Sequence, residues 1–200
     1  MLILPGSKAT VADLAWLRER GLDRALVACP TTVLGLCAGY QMLGHTIDDP
    51  GGVESTSRST PGLGLLQAAT RFGPDKVTRL RQGRVLGLPV RGYQIHHGVV
   101  DALGPALVEF TDPAGGVDGT CGRTPVGGTV WGTTLHGILD DDGFRARLLS
   151  ETGKRAGKRV TLGGRFEAAR QARIDRVADA VHTHLDMVAL DNLVTAGPSR

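Results

Sequence analysis

The sequence predicts an α/β fold with a parallel-to-mixed central sheet and flanking helices. Three observations carry that prediction. Two short apolar runs, Leu2–Leu4 and Thr32–Leu36, are separated by a helical pattern, which is the order of a βαβ unit. The first run stops at Pro5-Gly6, as a buried parallel strand stops in a turn. The middle of the chain carries shorter apolar runs bounded by Gly and Pro, the pattern of antiparallel additions.

The elements follow in order. After Pro5-Gly6, Ser7 or Thr10 can cap a helix, and Thr10 with Asp13 resembles a capping box. Val11, Leu14, Ala15 and Leu17 give that helix its apolar face, and Gly21 ends it. The strand over 32–36 runs into a turn and a helix over 37–44. A parallel sheet ordinarily begins with its own first strand and helix. Here Met1 already stands at a strand, so the sheet is expected to lack its first strand–helix units. Residues 62–66, 85–90 and 92–98 are short strand candidates. Residues 111–128 are dense in Gly, Pro and Asp and read as turns and loops. A strand over 128–135 ends at His136-Gly137, and Asp140, Asp141 and Asp142 can cap a helix over 143–149. Phe166, Ala169, Ile174, Val177, Val181, Leu185 and Val188 recur at helical steps with one wider gap. They predict one long amphipathic helix over about 166–193, ending before Gly197-Pro198. The expected division is a domain over 1–194 and a tail over 195–200.

Composition narrows the function classes. Hydrophobic residues make up 41% of the 200 and charged residues 22%, enough for a core and against wholesale disorder. No apolar run is long enough for a transmembrane helix, so no membrane partner is expected. The start is too short, and lacks the basic flank, for a signal peptide. Three cysteines spaced far apart make neither a disulfide framework nor a metal knuckle, and no metal site is expected. Free thiols fit a cytoplasmic setting. The net charge of +3 is small, and aromatics are only 4%, which argues against a nucleic-acid surface. Lys154, Arg155, Lys158, Arg159 and Arg165 form either an anion patch or a solvated loop. The 29 glycines are about twice the usual share of roughly 7%. No G-x-y repeat explains them, so they point to tight turns and close backbone approaches.

Chemistry concentrates at Gly35-Leu36-Cys37-Ala38-Gly39, a G-x-C-x-G form of the nucleophile elbow. Its glycines let the chain turn where a Cβ would clash. The turn pushes the sulfur out at the carboxyl end of the sheet, where α/β proteins bind ligands. The helix that follows favours thiolate, and backbone N–H groups there can hold an oxyanion. The alternative is a buried cysteine in a turn. Cys29, before Pro30, and Cys121, in a Gly-rich stretch, lack such a frame. A thiolate nucleophile needs a partner that moves protons. His136, at another strand end, shares the edge with Cys37 if the two strands are parallel neighbours. His96 and His97 are expected to face opposite sides of one strand, so that both cannot serve one site. His45 follows the elbow helix, and His182 and His184 read as helix-surface histidines.

These residues resemble a known family, the C-terminal amidotransferase domain of cobyric acid synthase, a class I glutamine amidotransferase. The resemblance rests on Leu4-Pro5-Gly6-Ser7-Lys8, Asp13-Leu14-Ala15-Trp16-Leu17-Arg18 and the run from Leu34 through Cys37 and Gln41 to Gly44. It continues through Gly62-Leu63-Gly64-Leu65-Leu66, Gly92-Tyr93-Gln94-Ile95-His96-His97-Gly98, Leu135-His136-Gly137-Ile138, Phe144-Arg145, and Asp175-Arg176-Val177-Ala178-Asp179 with His184-Leu185-Asp186. It implies that Cys37 attacks the side-chain amide of glutamine and that His136 moves the proton. It places an oxyanion hole at the N–H groups of Gly6 and Ala38, and Gln41 near the bound glutamine. It implies no cofactor in this chain. ATP and Mg²⁺ would belong to a separate N-terminal synthetase domain or subunit carrying the corrinoid acceptor, adenosylcobyrinic acid a,c-diamide, in cobalamin synthesis. The sequence has no G-x-x-x-x-G-K-[ST] phosphate loop.

The chain departs from the family at three points. The family has further strand–helix units before the Leu-Pro-Gly-Ser-Lys segment. The connection from Arg24 to Val33 is shorter, and Gln94 stands where the family usually has Glu. Ile138 occupies the position of a third, acidic group in many class I enzymes, so the expected machinery is a Cys37–His136 dyad. Two other functions stand beside this one. The chain could be a glutaminase subunit of another amide ligase, as in peptidoglycan-precursor amidation, or an inactive truncated fragment with only a binding role.

Overall fold

Residues 1–161 and 163–196 are described by a computed structural model of the chain. The chain begins β1 (Leu2–Leu4), α1 (Thr10–Glu19), α2 (Leu22–Val27), β2 (Thr32–Leu36), α3 (Ala38–Leu43), β3 (Thr46–Asp48) and β4 (Ser59–Pro61). A long hairpin of β5 (Ala68–Val85) and β6 (Leu88–Ala102) follows, then β7 (Val108–Phe110), β8 (Val117–Asp118), β9 (Thr120–Arg123), β10 (Thr129–Thr133) and α4 (Asp142–Arg155). These elements lie in one compact unit, Met1–Thr161. The second unit, Leu162–Arg200, holds α5 (Phe166–His184) and α6 (Met187–Ala196).

The strands form two sheets. The first has the order β1-β2-β10-β9, with β1, β2 and β10 parallel and β9 antiparallel at the edge. The second runs β4-β3-β5-β7-β8, with β6 also paired to β5. Among the described residues, its one parallel pair is β3 with β5. The parallel-to-mixed sheet read from the sequence is therefore the first sheet, and the middle strands build a second one.

Alternation along β2 and β10 explains why both are apolar throughout. Val33 and Val130 face a core with Leu14 and Leu17 of α1, Leu26 of α2 and the buried side chains of α3. Leu34 and Trp131 face the other core, with Phe144 and Leu148 of α4 and the hairpin residues Val85 and Val90. A side chain as deeply buried as Leu14 contributes about 2 kcal/mol by leaving water. β1 differs from the expected buried strand. It pairs on one side only, with β2, and its Leu2 and Ile3 are exposed, as an edge position allows.

Several other readings change. No side chain caps α1, because Thr10 is already inside the helix with its hydroxyl turned toward Gln41 of α3, at 3.4 Å. Ser7 bonds Asp13 and accepts the Ala9 N–H instead. Gly21 ends α1 at φ 67°, but a short helix, α2, follows at once. Residues 62–66 are not a strand. Their N–H groups satisfy the carbonyls left open at the end of α3, with Leu63 bonding Met42 and Leu65 and Leu66 bonding Leu43. Residues 85–90 are a hairpin tip, with Leu86 at φ 51° and Gly87 at φ 78°. Residues 111–128 contain β8 and β9 among their turns. Asp141 caps α4 as expected, accepting from Gly143 and Phe144.

The helix expected over 166–193 is two helices. Leu185 is extended, and Asp186 accepts the Ala189 N–H at 3.0 Å, which starts α6 afresh. No residue of α5 or α6 is buried. The expected boundary between 194 and 195 falls inside α6, and Gly197-Pro198 lies outside the described residues.

One contact locks the first sheet to α3. A Cβ on Gly39 would lie 2.0 Å from the carbonyl oxygen of Leu4, and one on Gly35 would lie 2.8 Å from the Gly39 carbonyl. Gly39→Ala sets a helix-propensity gain of about 1 kcal/mol against a clash with rigid backbone, and the clash wins. The variant is expected to lose on the order of 3 kcal/mol in urea unfolding. A stability equal to or above wild type would show that β1 and α3 separate easily.

Candidate active site

The end of β2 and the start of α3 make the elbow. Cys37 has φ 52° and ψ −113°, a strained conformation for a residue with a Cβ. It persists because its neighbours over-determine it. The Cys37 N–H donates to the Thr133 carbonyl of β10 at 2.9 Å, and the Gln41 N–H donates back to the Cys37 carbonyl at 3.1 Å. The sulfur contacts the Ile95 carbonyl of β6 at 3.8 Å.

His136 arrives on the same edge because β10 is the parallel neighbour of β2, with Thr133 opposite Leu36. This meets the condition set by the sequence. Its backbone forms a bridge with Tyr93 of β6: the His136 N–H donates to the Tyr93 carbonyl at 2.8 Å, and the Tyr93 N–H returns a bond at 3.1 Å. The two rings stack, with centroids 5.0 Å apart and planes 7° from parallel. Tyr93 thus orients the histidine through both its ring and its backbone. Gly6 lies between the two side chains. A Cβ there would be 3.0 Å from His136 Cε1 and 3.3 Å from Cys37 Cβ.

Cys37, His136, Gly6 and Gln41 all line one cavity of about 540 Å³. Gln41 is buried and already committed, donating to the His97 carbonyl at 3.2 Å and accepting from Thr10. It ties α3 to the hairpin. The Ala38 N–H faces the Cys37 sulfur and favours its charged form. A separate cavity of about 430 Å³, lined by Thr32, Thr129 and Cys121 among others, opens at the opposite ends of β2 and β10. No histidine lines it, and Cys29 is buried elsewhere.

His96 and His97 correct the expectation from strand alternation, because both line the Cys37 cavity. The pairing of β5 and β6 shifts register between Arg71 and Lys76, and Gly98 follows at φ 83°. Such an irregularity re-aims side chains. His96 Nδ1 donates to the Gly98 carbonyl at 3.0 Å, while its Nε2 makes no such bond. That nitrogen, His97 Nδ1 and His136 Nε2 are buried without a protein partner.

The electrostatics also differ from the expectation that the elbow favours thiolate. Burial pushes the Cys37 thiol above its ordinary value. The Ala38 N–H pulls it down, and the charges of Glu54 and Asp118 push it further up. Burial, and then His96, hold His136 below the ordinary imidazole value. The resting pair is a neutral thiol and a neutral imidazole. Behind it runs a polar chain the sequence did not reveal. Gln94 donates to the Thr134 hydroxyl at 2.7 Å, which donates to Asp118 at 2.8 Å. Gln94 also accepts from Arg81 at 3.5 Å, whose charge is met by Asp112 at 2.8 Å. Gln94, where the resemblance leads one to expect Glu, therefore fixes the strand leading to His136 without adding a charge.

Fold and site together define an α/β protein of the nucleophile-elbow type, with a thiol facing a strand-end histidine. The chain belongs to the CobB/CobQ-like glutamine amidotransferase domain family, whose sequence model matches residues 1–144. It is 48% identical over 201 residues to a cobyric acid synthase of Mycolicibacterium gilvum (strain PYR-GCK), covering 99% of this chain and 38% of that protein. It is 46% identical to the cobyric acid synthase of Mycobacterium marinum (strain ATCC BAA-535 / M), with 98% and 38% covered. The Mycobacterium tuberculosis (strain ATCC 25177 / H37Ra) protein of the same name is 45% identical, again with 98% and 38% covered. The chain thus spans well under half the length of these relatives. A crystal structure described as a glutamine amidotransferase shares the fold, with a TM-score of 0.52, 21% identity and 78% of each chain covered. No helix among the described residues is long and apolar enough to cross a membrane.

Two predictions follow from the geometry. Alkylation of Cys37 by iodoacetamide is expected to rise with pH through a midpoint above about 8.5, since a raised pKa keeps the thiol protonated at neutral pH. A midpoint below that value would contradict the neutral resting pair. In Tyr93→Ala, the NMR titration of His136 is expected to move up toward about 6.5 as the ring loses its cover. Tyr93→Phe is expected to leave it low, and identical titrations in wild type and Tyr93→Ala would deny the stack a role.

Proposed function

We propose that this chain is the glutaminase portion of a cobyric acid synthase, with Cys37 and His136 as its catalytic pair. The observation that carries the reading is the single cavity into which the elbow thiol and a neutral strand-end histidine both open. Neutral His136 accepts the thiol proton as the sulfur attacks the amide carbon of glutamine. The negative charge that develops on the amide oxygen faces the N–H groups of Ala38 and Gly6. His136 then gives the proton to the leaving nitrogen, which departs as ammonia, and a γ-glutamyl thioester remains. Water attacks the thioester with His136 as base, and glutamate and the thiol are released. Each turnover consumes glutamine and water and yields glutamate and ammonia.

The ammonia would serve a synthetase portion that uses ATP and Mg²⁺ to amidate carboxylates of a corrinoid acceptor, in the cytoplasm. The names of the relatives support that acceptor. Their additional length supports a synthetase portion carried outside the residues matched here. The lack of a G-x-x-x-x-G-K-[ST] loop supports placing ATP on that portion.

The purified chain is expected to release glutamate from glutamine, and Cys37→Ala to reduce release to background. Equal, background-level release from both would reject an active glutaminase in this chain.

A further inference from the structure

The cavity of about 430 Å³ at the opposite ends of β2 and β10 takes no part in the thiol chemistry, yet its walls are chemically equipped. Three arginines line it, Arg123 from β9 and Arg147 and Arg155 from α4, against one carboxylate, Glu151. That carboxylate is shared between Arg147 Nε at 3.4 Å and Lys154 Nζ at 3.3 Å. Exposed pairs of this kind hold weakly, so Arg147 is readily recruited by another anion. Arg123 reaches only the Gly127 carbonyl, at 3.5 Å, and Arg155 has no partner among the described residues. Arg155 is also the one member of the basic cluster over 154–165 that lines this cavity, which gives the anion reading of that cluster a place.

The cationic residues are exposed, and the residues between them are apolar and fixed. Trp131 is 9% exposed and stacked on Phe144 with ring centroids 6.1 Å apart, and Leu148 beside it is 1% exposed. Leu86 adds an apolar side chain from the hairpin tip. Two donors at this surface are unused. The Trp131 indole N–H and the Thr129 hydroxyl have no partner among the described residues.

A bare ion would engage the guanidinium groups and leave the apolar surface wet. An organic anion engages both. Arg147 and Arg155 stand two turns of α4 apart, roughly 12 Å along its axis, and Arg123 comes from a different element. Guanidinium groups so spread meet separate anionic groups more readily than a single one, and their forks suit phosphate and carboxylate oxygens. The volume is that of a small-molecule site. We infer that this cavity binds a small organic molecule with two anionic groups, phosphate or carboxylate, held by Arg123, Arg147 and Arg155, with its uncharged body against Trp131 and Leu148.

The protein carries a reporter in each cavity, because Cys121 lines this one and Cys37 the other. Burial pushes both thiols above their ordinary value, so alkylation is followed at a pH of about 9, cysteine by cysteine, by peptide mass spectrometry. The probes are fructose 1,6-bisphosphate, citrate and inorganic phosphate, each at millimolar concentration and matched ionic strength. Fructose 1,6-bisphosphate or citrate is expected to slow alkylation of Cys121 by iodoacetamide and to leave Cys37 unchanged. The one that protects at lower concentration distinguishes a phosphate from a carboxylate ligand. Arg123→Gln combined with Arg155→Gln is expected to raise the concentration for half-protection about 10-fold or more, as charge-assisted hydrogen bonds are lost. Arg71→Gln combined with Arg79→Gln removes the same charge from exposed positions of β5 and is expected to leave protection as in wild type, which separates this cavity from net charge. No protection of Cys121 by either organic probe, equal protection by inorganic phosphate, protection that survives in the Arg123 and Arg155 double variant, or protection of Cys37 alongside Cys121 would each overturn the inference.

Discussion

The site depends on how closely α3 approaches the end of β1. With hydrogen alone at Gly39, the first turn of α3 rests directly on the Leu4 carbonyl. That approach brings the chain leaving β1 alongside the chain leaving β2. Gly6 then lies beside Cys37, and Ser7 and Lys8 reach the cavity. The strain at Cys37 is a further consequence. The residue must leave a strand paired to β10 and enter a helix pressed on β1, and positive φ is the conformation that joins the two.

Within the cavity the reactive pair itself rests uncharged. The sulfur and the imidazole are both buried, and burial favours the neutral form of each. Orientation comes from shape rather than from a third charge. An aromatic stack and a pair of backbone bonds hold His136, and a neutral amide, Gln94, braces the strand before it. A carboxylate behind the histidine would raise its pKa and favour a standing imidazolium. The arrangement in this chain leaves the ring ready to accept a proton at neutral pH.

What the sequence made legible was what local chemistry determines. The elbow is five adjacent residues, and the apolar runs of β2 and β10 are long enough to mark buried strands, so Cys37 and His136 could be set on one edge. Asp141 at the start of α4 was readable for the same reason. Residues 62–66 look like a strand in isolation and are recruited as a cap for α3, which only tertiary contact decides. His96 and His97 were assigned to opposite faces by a rule that holds for regular strands, and the register shift facing them removes its premise. Glu54 has no local signature. Its place comes from a buried aspartate five positions before it and a helix start far away in sequence.

The hairpin of β5 and β6 is clamped at two ends. Ala68 and Phe72 near its base are buried with α3, and Val85 and Val90 near its tip are buried with α4. Tyr93, Ile95, His96 and His97 lie on the span between. A one-residue insertion within β6 would turn every later side chain to the opposite face, exchanging cavity wall for solvent. Variation in length is therefore confined to the tip at Leu86-Gly87 or to the loops beyond the clamps. The span itself is a ruler whose graduations are set by the chemistry it borders.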